Sequence, residues 1–140
     1  MKKLIFTFLV LLMTAAPSFA QTWHTANQVT LAWDAVVEMS NGTPFPATDI
    51  IKYKVYMKNA VTGGDPVELG EVTVLEYVIT LNAEGSYFLG AKALRYNEAN
   101  ELLNESIIAW SEIPASCENN EAFGVRYFLP PKSVMGMRLK

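Results

Sequence analysis

Val29-Thr30-Leu31-Ala32-Trp33-Asp34 decides how the rest of the chain is read. Val29, Leu31 and Trp33 fall on one side of an extended chain, with Thr30, Ala32 and Asp34 on the other. That two-residue period is the mark of a strand with one face buried. Trp33 is its largest inward side chain, and covering it removes ~150–250 Å² from water. At roughly 25 cal/mol per Å² this is worth ~4–6 kcal/mol before entropy is subtracted. A strand carrying that much apolar surface needs a second layer above it.

The same period recurs downstream. Within 50–58, Tyr53, Val55 and Met57 alternate with Lys52, Lys54, Tyr56 and Lys58. Leu75, Tyr77, Ile79 and Leu81 alternate over 75–81, and Tyr87, Leu89, Ala91 and Ala93 line one face of a segment running to Arg95. A short strand over 67–72 and a last one over 106–112 complete the set. Between them lie turn signals: Ser40-Asn41-Gly42-Thr43 with Pro44 and Pro46, then Gly63-Gly64-Asp65, then Gly85. Helical periodicity is weak. Six or seven short strands at ~8–12 residue spacing predict an all-β, antiparallel sandwich.

The first twenty residues belong to a different class. Lys2 and Lys3 precede an apolar run, Leu4 to Ala16, and Pro17-Ser18-Phe19-Ala20 supplies small residues for cleavage. This is the pattern of a secretory signal peptide, and the run is shorter than the ~20 residues of a membrane span. The expected division is 1–20 signal peptide, 21–116 sandwich and 117–140 a C-terminal extension serving as edge strand or tail. The product is expected to be secreted, periplasmic or extracellular, with no membrane span. Loss of Lys2 and Lys3 takes the formal charge from −3 to −5, an acidity that argues against nucleic acid as partner. Cys117 is the single cysteine, so no internal disulfide forms. It is read as an inert thiol, with intermolecular pairing as the alternative.

The residues from Gln28 to Glu112 resemble a fibronectin type III domain of the immunoglobulin-like fold, about seven strands in two sheets. Val29 to Trp33 resembles that family's second strand, with Trp33 at the core tryptophan. Ile50 to Tyr56 resembles the third, and Trp110-Ser111-Glu112 lies in a segment resembling the last. Leu81 followed by Tyr87 resembles the tyrosine corner, in which a phenol closes an arch of backbone. The expected core is Leu31, Trp33, Tyr53, Val55, Leu81, Tyr87, Leu89 and Trp110. Two departures stand out. The segment before Val29 lacks the family's proline-rich first strand, whereas Leu129-Pro130-Pro131 and the residues after it resemble the opening of a following repeat. That tail has three readings: a fold-back edge strand, an extended tail, or strand addition to a neighbouring copy.

Candidate chemistry is sparse. His24 is the single histidine, and one His with one Cys cannot close a zinc site. The carboxylates are scattered, and no glycine-rich loop precedes a helix. No enzyme, metal or cofactor is expected. Binding has more to rest on: Lys52, Lys54, Tyr56 and Lys58 form an outward stripe suited to an acidic glycan, with cross-strand pairing to Glu68 or Glu71 as the competing reading. The loop from Tyr96 to Asn104, with Tyr96 and Leu102, is a second candidate. The apolar stretch Phe123 to Leu129 must be covered by its own domain or by a partner. These features suggest a noncatalytic exported binding or surface-structural module whose ligand is a glycan or another protein. The alternative is a self-assembling extracellular subunit that associates through residues 123–140.

Overall fold

A computed structural model describes residues 21–133 with Met135 and Arg138. The signal-peptide segment lies outside the described residues. The described residues form nine strands: β1 (Thr22–Thr25), β2 (Gln28–Ala32), β3 (Ile50–Asn59), β4 (Gly63–Val72), β5 (Glu76–Thr80), β6 (Gly85–Tyr96), β7 (Leu102–Glu105), β8 (Ala109–Trp110) and β9 (Phe123–Tyr127). Two single-turn 3₁₀ segments, Pro114–Ser116 and Glu118–Asn120, separate β8 from β9.

β6 organises the larger sheet. One edge pairs along most of its length with β3, from Ile50↔Tyr96 to Asn59↔Tyr87, and β3 pairs in turn with β4. The other edge is shared by three short strands: β9 opposite residues 85–87, β8 opposite 90–91 and β7 opposite 94–96. β1 adds to β9 in parallel. The smaller sheet holds β2 and β5 alone, paired antiparallel from Gln28↔Thr80 to Ala32↔Glu76.

The alternation read from the sequence is the one that packs. Val55, Ile79, Leu81, Tyr87, Leu89 and Val125 form the buried cluster, with Val29, Leu31 and Trp33 packed against it from the smaller sheet. Trp33 lies one residue past β2, yet its N–H still donates to Leu75 O at 3.0 Å. Its ring sits 5.4 Å from that of Tyr53, which is buried. The Tyr87 hydroxyl donates to Ala83 O at 2.9 Å, closing the backbone arch before β6. Tyr87→Phe is expected to cost about 1 kcal/mol, the net worth of one such bond. Urea unfolding should show this as a lower midpoint at unchanged slope; an unchanged midpoint would mean that the arch stands without the phenol.

Several expectations are corrected. Of the last strand expected over 106–112 only β8 forms, β7 arises just before it within the segment expected as a loop, and β9 continues the same edge of β6. Hydroxyls mark the breaks: Ser106 Oγ accepts the Ala93 N–H at 3.0 Å and Ser111 Oγ accepts the Leu89 N–H at 3.1 Å. A side chain stands in for a backbone carbonyl, so the chain can swing away without orphaning the β6 donors. The sheet runs to Tyr127, and Phe123–Tyr127 lies between β1 and β6.

Trp110 is the core residue that is misplaced. It pairs with Gly90 and lies over it on the outer face of the larger sheet, where a Cβ on Gly90 would stand 2.7 Å from the indole. Trp23 covers Gly124 in the same way and packs on Phe88, with ring centroids 5.5 Å apart. Both faces of β6 are thus covered, the inner by the smaller sheet and the outer by these aromatic rings.

Candidate functional site

The lysine stripe on β3 is exposed by sequence but neutralised in the fold. β4 brings its own carboxylates alongside: Lys52 Nζ lies 3.4 Å from Glu71 and Lys54 Nζ 3.2 Å from Glu68. Lys58 pairs with Glu112, which follows β8. The hydrogen bond that Lys54 donates to Glu68 holds the Lys54 amine above its ordinary pKa, and the bond to Glu105 does the same for Lys92. Lys52 also sits 4.3 Å above the Tyr96 ring and Lys58 4.3 Å above that of Trp110. Tyr56, expected outward among the lysines, is buried, with Lys92 5.5 Å from its ring. The face is a carpet of matched charges and rings rather than an unpaired cationic track, because β4 and the residues after β8 bring Glu68, Glu71 and Glu112 alongside the β3 lysines.

The second candidate, residues 96–104, is a tight reversal rather than a long loop. β6 extends to Tyr96 and β7 begins at Leu102, with the Asn97 side chain bridging both ways to Glu101. Leu102 and Leu103 are exposed.

His24 and Cys117 line one shallow pocket of about 250 Å³. The Cys117 thiol points at Ser111 O, 3.4 Å away, and burial pushes its pKa up. That disfavours the thiolate a nucleophile requires. Among the described residues no group of three or more His, Cys, Asp or Glu is arranged to hold a metal ion, and no helix is long and apolar enough to cross a membrane.

The feature that stands out is the edge of β2. Among the described residues β2 pairs with β5 only. Asn27 O accepts from Leu81 N at 2.7 Å and Trp33 N donates to Leu75 O. Antiparallel alternation therefore turns the N–H and C=O of Gln28, Thr30 and Ala32 toward the opposite, open side. Beside them runs a groove of about 670 Å³ lined by Trp23, His24, Val29, Leu89, Phe123 and Val125. β1 forms its far wall. It leaves β2 unaccompanied because it is hydrogen-bonded to β9 in the other sheet, Ala26 N–H on Arg126 O at 3.0 Å included. The sequence contained one signal for this edge, the missing first-strand pattern before Val29.

Comparison with protein-family models, with curated proteins and with solved structures finds no match to this chain.

Proposed function

We infer that the chain is an exported, noncatalytic module of the fibronectin type III kind that binds a partner protein by accepting an extended segment along β2. Supporting the family reading are the pairing of β2 with β5 opposite a sheet centred on β3 and β6, the Tyr87 arch and the Trp33–Tyr53 contact. Export rests on the leader of Lys2, Lys3, an apolar run and small residues before Gln21. The observation that carries the binding reading is the open β2 edge beside an apolar groove. Strand addition takes affinity from backbone hydrogen bonds and specificity from alternate side chains entering such a groove. A glycan bound to the lysines is less favoured, since Lys52, Lys54 and Lys58 are each paired with a glutamate.

Selection from a displayed library of twelve-residue peptides tests the reading. Alternating apolar sequences are expected to be enriched, and Thr30→Pro to abolish their binding, because it removes an outward edge donor. Enriched peptides that bind the Thr30→Pro protein equally well would overturn it. So would glycan-array signals that vanish in a Lys52/Lys54/Lys58→Glu variant, which would return the function to the basic face.

A further inference from the structure

The chain carries a segment suited to its own open edge. Residues 132–140 read Lys132-Ser133-Val134-Met135-Gly136-Met137-Arg138-Leu139-Lys140. Written as an extended strand, this sequence puts Met135, Met137 and Leu139 on one side and Arg138 and Lys140 on the other. Methionine side chains are long and adaptable, which suits an irregular apolar groove. Nine extended residues span about 30 Å, against about 17 Å for the five residues of β2. The charge also fits: three cations in this segment meet a chain of net charge −3, whose Asp34 and Glu76 lie at the Ala32 end of β2.

Geometry at the exit from β9 favours another copy over the same one. Tyr127 pairs with Gly85, and the Leu129 N–H donates to the Glu84 carboxylate, so the chain leaves past the loop between β5 and β6. That is the end at which β1 passes into β2, since Ala26 bonds Arg126 and Asn27 bonds Leu81 there. Pro130 and Pro131 follow at once. Two consecutive prolines hold the backbone extended and oppose a tight reversal into the groove of the same domain. Phe128, Leu129 and Met135 are exposed.

We propose that residues 132–140 of one copy add as a strand to the open β2 edge of the next, with Met135, Met137 and Leu139 entering the groove beside Val29. This rests on the reading that the β2 edge accepts an extended segment, and it names the occupant. Such a contact is heterologous: each copy donates at one end and accepts at the other, so it propagates into head-to-tail chains unless the rotation closes a ring.

Light scattering on the purified protein over a range of concentrations tests it. The wild type is expected to grow in mass with concentration, whereas Thr30→Pro, which blocks the acceptor edge, and Met135→Asp/Met137→Asp, which blocks the donor, each stay monomeric. Mixing the two variants should restore a one-to-one pair and nothing larger, since that pair retains one intact donor and one intact edge. Met135 is exposed, so the tail variant decides the matter even where Thr30→Pro disturbs folding. A wild type that remains monomeric throughout, oligomers that persist in the tail variant, or a mixture of two folded variants that does not pair would each overturn the proposal. If library peptides bind at Thr30 while a peptide of residues 128–140 does not, this inference fails and the broader binding reading stands.

Discussion

Trp33→Ala is expected to lower stability by about 3 kcal/mol, the lower end of the range for removing a packed tryptophan, because the ring is half-buried rather than enclosed. The indole fills the space between the end of β2 and Tyr53, 5.4 Å away at an interplanar angle of 53°. Tyr53 in turn uses its hydroxyl to accept the Val36 N–H at 3.0 Å, which fixes the start of the connection to β3. Emptying the Trp33 site therefore removes packing at the core and support from that connection. Against a total of ~5–15 kcal/mol for a small domain, the loss should show as a large fall in the urea midpoint. Trp33→Phe separates packing from polarity. The indole N–H is buried without a protein acceptor among the described residues, so phenylalanine keeps a ring against Tyr53 and removes a costly donor. It should recover most of the stability that alanine loses. A loss below ~1 kcal/mol for alanine would mean that the ring does not wedge the two sheets apart.

A comparable loss, about 3 kcal/mol, is expected for Arg95→Leu. Arg95 Nε lies 2.5 Å from Asp49 Oδ2, and the Asp49 side chain is only 6% exposed. The guanidinium also lies 5.7 Å from the Phe45 ring. Leucine would leave a carboxylate shut away from water with no cation to answer it, which costs more than the pair itself contributes. The double variant Asp49→Leu/Arg95→Leu removes both charges and is expected to regain much of the stability. A double-mutant cycle by urea denaturation measures the coupling directly. If the double variant is no more stable than Arg95→Leu, the stranded carboxylate is not the cause of the loss.

These two sites differ in how far the sequence disclosed them. Trp33 was legible because its burial follows from the period of its own strand. The Arg95–Asp49 pair was not, because 46 residues separate the partners and only the β3–β6 register, with Ile51 opposite Arg95, brings them together. The lysine stripe fell between these cases. Alternation placed its three lysines on one side of β3, but Tyr56 between them is buried, and the availability of the lysines depended on Glu68 and Glu71 of β4 and Glu112 after β8. Trp110 failed for a related reason. A large aromatic in a short strand reads as core, yet Gly90 opposite it left room for the indole on the outer face.

The sequence by itself determined that the chain is all-β, which residues of β2, β3, β5 and β6 face inward, and that Tyr87 caps the arch before β6. The first two are properties of one segment meeting water on one side and apolar neighbours on the other, so a period of two suffices to find them, whereas the Tyr87 arch was expected only from the resemblance of Leu81 and Tyr87 to a tyrosine corner. Tertiary structure alone decided which edges met. β1 pairs with β9, about 100 residues away, instead of with β2, and three short strands divide one edge of β6. Edge pairing is a competition among backbones with the same donors and acceptors, settled by packing across long sequence separations. Among the described residues that competition left β2 with a free side, and it is there, beside Val29-Thr30-Leu31, that the inferred function lies.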